Sequence, residues 1–259
     1  MIELNKIYNE EALEFMRKMP DSFLDLTLTS PPYDGLRNYE GFEFSYRDII
    51  AELFRLTKKG GIVVWVVNDQ VIKGSESGTS FRQALAFIEA GWRLYDTMIY
   101  SKRNPTPNAN RRYQQSFEYM FVFSKGRPKT CNIQLRRSKT YLSGKARMKY
   151  FQRSIDGNLS KKYHQPKAFV PKSNIWEYTV GGGHVTKDKV AYLHPAIFPE
   201  KLAEDHILSW SNKGDLVYDP FVGSGTTTKM AAINGRNYIG SDVSAFYCEI
   251  AEERLKMSA

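Results

Sequence analysis

The chain has 259 residues, of which 42% are hydrophobic, and its formal net charge is +9. This length fits one large domain or a catalytic domain with an insertion, and no apolar run approaches the roughly 18 residues of a membrane helix. The chain has two cysteines far apart in sequence, which argues against a disulfide framework. Its N-terminus has no charged start followed by an apolar stretch, which argues against a signal peptide. We therefore expect a protein of the reducing cytoplasm.

Hydrophobic periodicity predicts alternating strands and helices over most of the chain. The predicted strands cover residues 2–8, 24–29, 62–67, 95–100, 119–123, 216–218 and 238–241. The predicted helices cover residues 10–19, 46–57, 81–90, 199–210 and about 226–233, and a last one begins at 245. Residues 125–190 lack this regularity. The alternation predicts an α/β fold with a doubly wound, mostly parallel sheet covered on both faces.

A strand that ends in Thr29 runs into Ser30, Pro31, Pro32 and Tyr33. Two consecutive prolines fix the backbone, so the Ser30 hydroxyl and the Pro31 carbonyl can converge as rigid acceptors for an amino group with two N–H donors. Such bonds favour a pyramidal nitrogen whose lone pair points at a methyl donor, while Tyr33 would stack on a base that has left the duplex. The alternative is a Pro-Pro turn that merely ends a strand.

A second motif, Asp-Pro-Phe-Val-Gly-Ser-Gly-Thr, runs from Asp219 to Thr226 between a predicted strand and a predicted helix. Gly223 and Gly225 would let the backbone approach a ligand, and amides at the helix start would hold an anionic group such as a methionyl carboxylate. Asp242 ends the next strand and can accept ribose hydroxyl protons. A phosphate loop would need Gly-Lys-Ser/Thr, so nucleotide hydrolysis is disfavoured. The alternative is a turn needed only for chain reversal.

Together the two motifs resemble those of the amino-group DNA methyltransferases, which modify adenine at N6 or cytosine at N4. That family has Asp, Asn or Ser before Pro-Pro-Tyr/Phe, and the same glycine loop. Because the catalytic motif comes first and a basic region separates the two, the order is similar to the β subgroup. The resemblance implies a Rossmann-like methyltransferase fold with circularly permuted motifs, and S-adenosyl-L-methionine as cofactor. It also implies a catalytic part (1–124), a target-recognition insertion (125–190) and a cofactor-binding part (191–259). The strand at 24–29 must then end beside the glycine loop.

The resemblance also suggests roles for further residues. Phe221 would contact the cofactor adenine and Asp219 the methionyl amino group. Glu11 stands where the family has the Asp of Gly-Asp-x-Leu, and His194-Pro195 opens a segment similar to one that flanks the methionine end of the cofactor. The predicted catalytic residues are Ser30, Pro31, Pro32 and Tyr33. The predicted cofactor-binding residues are Glu11, Thr29, His194, Pro195, Asp219, Phe221, Gly223, Gly225, Thr226 and Asp242.

Two details bear on the methylated atom. Serine before Pro-Pro-Tyr is, in this family, more typical of the cytosine N4 enzymes, and aspartate of the adenine N6 enzymes, so we favour cytosine N4 with adenine N6 as the alternative. Methylation at cytosine C5 needs a thiolate, normally in a Pro-Cys pair, and neither Cys131 nor Cys248 follows a proline.

The four histidines are scattered without partners at ligand spacing, so no metal is expected.

The positive charge is concentrated in one segment. Residues 125–172 hold 14 Lys and Arg and one acid, a net of +13, which leaves −4 for the rest of the chain. Such a segment suits the phosphates of double-stranded DNA, although a solvated basic surface is the alternative. The predicted DNA-binding residues are Arg111, Arg112, Arg136, Arg137, Lys139, Lys145, Arg147 and Lys149.

Other partners and activities stay open at this point. A restriction endonuclease for the same site and a second copy of the chain are further candidate partners. The competing hypotheses are a DNA-binding protein without turnover and a methyltransferase that acts on RNA or on a small molecule. The intact Ser30–Tyr33 motif argues against the first, and the basic segment against a small substrate.

Overall fold

The computed structural model describes residues 2–32, 45–105, 107, 112–144 and 146–258. The chain divides into a larger unit, residues 1–132 and 174–259, and a smaller unit, residues 133–173. The smaller unit lies inside the segment predicted as an insertion, while the flanks 125–132 and 174–190 belong to the larger unit. No helix among the described residues is both long and apolar enough to cross a membrane.

The helices and strands are numbered in chain order. The strands are β1 (Lys6–Asn9), β2 (Leu24–Thr29), β3 (Thr57–Val67), β4 (Val71–Ile72), β5 (Ser75–Glu76), β6 (Arg93–Lys102), β7 (Phe117–Ser124), β8 (Leu135–Arg137), β9 (Met148–Arg153), β10 (Leu159–His164), β11 (Phe169–Pro171), β12 (Ile175–Tyr178), β13 (Leu216–Asp219) and β14 (Asn237–Asp242). The helices are α1 (Ala12–Arg17), α2 (Tyr46–Leu56), α3 (Thr79–Glu89), α4 (Lys139–Leu142), α5 (Glu200–Trp210), α6 (Thr226–Ile233) and α7 (Ala245–Lys256), with a 3₁₀ turn at Lys189–Leu193.

The larger unit is built on one eight-stranded sheet, in the order β1-β14-β13-β2-β3-β7-β6-β12. Neighbours from β1 to β3 are parallel, and β12 is parallel to β6. Only β7 runs antiparallel to its neighbours β3 and β6 within this sheet. The prediction of a mostly parallel sheet is confirmed.

Helices cover both faces of the sheet, because alternate side chains of a strand point to opposite sides. On β3, Val63, Trp65 and Val67 pack with α1, α2 and α3, whereas Val64 and Val66 pack with α5 and α6. Helix α7 packs on β1 and α6. Burial on both faces explains why β3 contains a continuous apolar run, Ile62–Val67, whereas β2 alternates leucine with the buried polar residues Asp25, Thr27 and Thr29.

The smaller unit contains two two-stranded antiparallel sheets, β8 with β11 and β9 with β10, together with the short helix α4. Nearly every side chain of β9 and β10 is exposed. Because no face of this pair is buried in the unit, its residues show no hydrophobic alternation, which is why the sequence predicted no strands here.

Candidate active site

The two sequence motifs meet at one edge of the sheet. Strands β2 and β13 are adjacent and parallel, with Leu26 beside Val217 and Thr27 beside Tyr218, so their carboxyl ends lie side by side. At those ends the Thr29 hydroxyl donates a 2.6 Å hydrogen bond to Asp219 Oδ1, and both residues are buried. Amine methylation requires this adjacency, since Ser30 follows Thr29 directly and the glycine loop follows Asp219.

Helix α6 strengthens the same junction. The Thr227 hydroxyl, in its first turn, donates to the carbonyl oxygen of Leu28 at 3.1 Å, while the Phe221 amide donates to Asp219 Oδ1 at 3.1 Å. The end of β2 and the start of the glycine loop are therefore held together by buried hydrogen bonds, which fix where Ser30 and Pro31 emerge.

Asp219 is the most strongly perturbed acid of this junction. Burial raises its pKa to about 6, against hydrogen bonds from Thr29, the Phe221 amide and Thr227 that lower it, and the nearby charge of Asp242 raises it further. Because a buried carboxylate without a cation is costly, a positively charged ligand group beside Asp219 would favour the ionised form.

The glycines of the loop are required by the protein's own packing. Gly225 has a φ of +78°, and a Cβ there would lie 2.7 Å from Ala251 Cβ on α7. Gly223 has a φ of +47°, and a Cβ there would lie 2.9 Å from His194 Nε2. Close ligand approach was the reason expected from the sequence; the structure adds close approach of a helix and of a histidine ring.

Replacing Gly225 with alanine is therefore expected to lower the free energy of unfolding by about 2–4 kcal/mol, since overpacking adds to the cost of a left-handed backbone. Gly235→Ala is the matched control, because Gly235 has a φ of +73° but its Cβ would meet only the Lys213 side chain, at 3.7 Å or more. The control should lose about 1–2 kcal/mol. Urea unfolding of both variants measures the difference, and equal losses would show that packing against α7 is unimportant.

Asp242 lies on the neighbouring strand at the same edge. Its Oδ2 accepts from the Gly223 amide at 2.9 Å, and its Oδ1 accepts from the Ser244 amide at 3.0 Å. These two bonds orient the carboxylate, whose oxygens are acceptors of the kind that a ribose hydroxyl needs. The residue thus suits the ribose role predicted for it.

The remaining predicted cofactor residues fall into different environments. Glu11 follows β1 and caps α1, where its carboxylate accepts from the Glu14 amide at 2.9 Å. His194 is buried, its Nδ1 lies 2.7 Å from the Ala196 carbonyl oxygen, and its ring meets the Tyr247 ring edge-on at 4.4 Å. Pro195 is exposed. His194 therefore lies against the glycine loop, whereas Glu11 has a structural role of its own as a helix cap.

A network of four charged side chains, two buried cations and two half-buried acids, contacts the glycine loop, and the sequence analysis missed it. Arg254, fully buried on α7, pairs with Asp188 (2.9 Å) and Glu200 (2.6 Å). Lys229 on α6 pairs with the same two acids, at 2.7 and 2.6 Å. Arg254 also donates to the Ser224 carbonyl oxygen at 2.6 Å.

The network shifts the pKa of Asp188, and the sequence contained a signal for this network. Burial would raise the pKa of Asp188, but hydrogen bonds and charge from Lys229 and Arg254 outweigh it and hold that pKa below its usual value. Arg254 stands three residues after Ala251, in register with the buried face of α7. A cation on the apolar face of a helix predicts buried acidic partners.

The other predicted site residues are placed as follows. Pro31 is buried, Ser30 and Pro32 are half-buried, and all three directly follow β2. Arg112 contacts the Gly74 carbonyl oxygen and lies 3.8 Å from Glu76. Exposed cations of the smaller unit include Arg136, Arg137, Lys139, Arg147 and Lys149. Tyr33, Arg111 and Lys145 lie outside the described residues.

The glycine loop, the acidic strand end and the Pro-Pro motif share one carboxyl edge of an open α/β sheet. This arrangement defines a cofactor-dependent enzyme of the nucleotide-binding type.

The family model for N6/N4 DNA methylases matches residues 24–253. The orphan methyltransferase M.BamHII of Bacillus amyloliquefaciens is 56% identical over 238 residues, which cover 91% of this chain and 90% of that protein. The DNA adenine methyltransferase YhdJ of Escherichia coli (strain K12) is 25% identical over 276 residues, covering 99% and 84%.

Solved structures share the fold. The cytosine-N4-specific PvuII DNA methyltransferase has a TM-score of 0.71 at 19% identity, with 96% of this chain and 85% of that chain covered. TTHA0409 of Thermus thermophilus, complexed with S-adenosyl-L-methionine, has a TM-score of 0.65 at 23% identity, with 98% and 95% covered. The chain belongs to the N6/N4 DNA methylase family and is an S-adenosyl-L-methionine-dependent DNA methyltransferase.

Proposed function

We propose that this enzyme methylates the exocyclic amino group of a base at a specific DNA site, with cytosine N4 as the acceptor. The observation that carries the proposal is the Thr29–Asp219 hydrogen bond, which joins the two motifs at one edge of the sheet. The choice of cytosine depends on Ser30. Among similar proteins, PvuII methyltransferase is cytosine-N4-specific and YhdJ is an adenine enzyme, so adenine N6 is the alternative.

The residues present fit the cofactor. Gly223 has no room for a side chain beside His194, the Asp242 carboxylate supplies acceptors for hydroxyl groups at the same edge of the sheet, and buried Asp219 favours a cation beside it. Asp219 would hold the methionyl amino group, Asp242 the ribose, and Phe221 the adenine. When bound, S-adenosyl-L-methionine supplies a methyl group activated by its sulfonium.

The chain's own residues would prepare the amine. The Ser30 hydroxyl and the Pro31 carbonyl oxygen accept the two N–H bonds of the target amino group, which has left the duplex, and Tyr33 stacks on the base. Accepting both bonds directs the nitrogen lone pair away from the ring, so the contribution is positioning and preorganised electrostatics. The new C–N bond would form as the methyl–sulfur bond breaks and its electrons leave with the thioether S-adenosylhomocysteine, and the methylated nitrogen would then release one proton to water.

Cofactor affinity should fall in mild acid because of Asp219. Since its pKa is raised to about 6, the carboxylate is present above that pH and is lost as the pH falls through it, and a bound ammonium would lower the pKa. Affinity for S-adenosylhomocysteine, measured by calorimetry, should therefore weaken about tenfold from pH 7 to pH 5. Asp219→Asn should bind more weakly at pH 7 but with a flat profile. A flat profile for the unaltered enzyme would contradict the role of Asp219.

The proposal extends to the partners. Double-stranded DNA would contact the basic residues of the smaller unit, and we propose the cytoplasm, where bacterial DNA lies, as the compartment. Type II relatives suggest a restriction endonuclease for the same site, but M.BamHII, at 56% identity, is called an orphan. That likeness favours a solitary enzyme.

The test is methylation of an unmodified plasmid, followed by sequencing that separates N4-methylcytosine from N6-methyladenine. The proposal expects N4-methylcytosine within one recurring short sequence. N6-methyladenine in such a sequence would favour the alternative base. Absence of any transferred methyl group would favour a DNA-binding protein without turnover, and preference for RNA over duplex DNA would favour an RNA enzyme.

A further inference from the structure

Strands β9 and β10 form an antiparallel ribbon, joined by a turn at residues 154–158. The register places Lys149 opposite Tyr163 and Phe151 opposite Lys161, and directly opposite residues share a face. One side, here the basic–aromatic face, therefore carries Lys149, Phe151, Arg153, Leu159, Lys161 and Tyr163. The opposite face carries Met148, Tyr150, Gln152, Ser160, Lys162 and His164.

Charge is distributed unequally between the two faces. The basic–aromatic face has three cations on its strands, and Arg147, just before β9, lies 4.7 Å from the Tyr163 ring centroid. The opposite face has one cation, Lys162. Lys149 lies 5.0 Å from the Phe151 ring and Lys161 5.4 Å from the Tyr163 ring. Cations and aromatic rings thus alternate along one side of the ribbon, at distances typical of cation–π contacts.

The same face exposes apolar surface. Phe151 is 60% exposed, Leu159 61% and Tyr163 46%. A two-stranded ribbon alone is marginally stable in water, and exposed apolar groups of this size among polar ones mark an interaction surface. The smaller unit holds eleven Lys and Arg against the single acid Asp156. Charge complementarity therefore points to a polyanion that also offers apolar groups to a surface, and duplex DNA does so through the thymine methyl groups of its major groove.

The dimensions decide which groove fits. The major groove, about 12 Å wide, admits a two-stranded ribbon, whereas the minor groove, about 6 Å wide, does not. Six residues per strand extend about 20 Å, the length of about six base pairs. We infer that the basic–aromatic face of the β9–β10 ribbon enters the major groove of the target and reads its bases. This inference rests on the proposed function, because it assumes that duplex DNA is the substrate.

Adjacent residues on the two faces provide matched controls. Phe151→Ala and Lys161→Ala alter the basic–aromatic face, whereas Tyr150→Ala and Lys162→Ala make equivalent changes on the opposite face. The probe is a 30-base-pair duplex that carries the methylated site found by sequencing, compared with a scrambled duplex. The first two variants should weaken binding to the site duplex by about 5- to 100-fold and reduce its preference over the scrambled one. The controls should stay within about twofold.

A modified duplex tests the groove. Replacing guanines or adenines of the site with 7-deaza analogues removes acceptors that face only the major groove. The unaltered enzyme should bind this duplex less tightly, and Lys161→Ala should lose less affinity for it than for the unmodified duplex, because the acceptor for the Lys161 ammonium is already absent. Equal effects on both faces, or full affinity for the 7-deaza duplex, would overturn the inference.

The failure of this inference can be distinguished from failure of the proposed function. If the unaltered enzyme transfers no methyl group to any duplex, the proposed function fails. If it methylates a defined site and the basic–aromatic variants bind and methylate that site as well as the controls do, only the ribbon assignment fails. An unchanged pattern of limited proteolysis within residues 133–173, together with unchanged affinity for S-adenosylhomocysteine, shows that both units of each variant are folded.

Discussion

Ser30→Ala should lower the rate of methyl transfer about 10²- to 10³-fold, the loss typical of removing one preorganised hydrogen-bonding group from a reaction centre. The hydroxyl is proposed to accept one N–H bond of the target amine, so the nitrogen lone pair would no longer be directed at the methyl group. Cofactor affinity should be unchanged, because Asp219 and the glycine loop are intact. Single-turnover transfer of labelled methyl groups, with calorimetry on S-adenosylhomocysteine, separates the two effects.

Thr27→Val is the control for this experiment. Thr27 lies on the same strand, and its buried hydroxyl has no hydrogen-bond partner among the described residues. Replacing it by an isosteric methyl group should leave both the transfer rate and the cofactor affinity within about twofold, since no buried bond is broken. Pro31→Ala tests the rigid turn and should also slow transfer. A Ser30→Ala enzyme that transfers methyl groups at the normal rate would refute the proposed chemistry.

Arg254→Met should lower the free energy of unfolding by about 2–4 kcal/mol, because it removes a fully buried guanidinium and leaves the half-buried carboxylates of Asp188 and Glu200 with Lys229 as their one remaining cation in the network. Its guanidinium reaches Asp188, Glu200 and the Ser224 carbonyl oxygen, so the variant should also weaken cofactor binding through a looser glycine loop. Denaturation in urea measures the first effect and calorimetry the second. Arg254→Lys, which keeps the charge but has fewer donors, should have a free energy of unfolding and a cofactor affinity between those of the unaltered enzyme and Arg254→Met.

An exposed ion pair gives the control. Arg47 pairs with Glu89 at 2.8 Å, and both side chains are largely exposed. Arg47→Met should therefore leave the free energy of unfolding nearly unchanged. If Arg254→Met were as mild as Arg47→Met, the charged network would not be what fixes the glycine loop.

The parts of the fold that bury both faces of a strand or one face of a helix were predictable. The strand predicted at 24–29 is β2 with the same bounds, and the helix predicted from about 226 to 233 is α6. Their patterns follow from burial within the element itself, so no knowledge of distant neighbours was needed. The same is true of the two motifs, which are contiguous in sequence.

The features that could not be predicted depend on residues that are distant along the chain. The restriction on Gly225 comes from Ala251 on α7, and that on Gly223 from the His194 ring. The acids that pair with Arg254 precede it by 54 and 66 residues. Likewise β12, with only four residues, owes its place to pairing with β6 rather than to a hydrophobic pattern of its own.

The central claim is that the end of β2 and the glycine loop form a single site for methylating an amine. A crystal structure of the protein with S-adenosylhomocysteine tests it directly. The account predicts the amino group of the ligand beside Asp219, its ribose on Asp242, and its sulfur facing Ser30 and Pro31. A ligand bound elsewhere, or one whose sulfur faces away from Ser30 and Pro31, would contradict it.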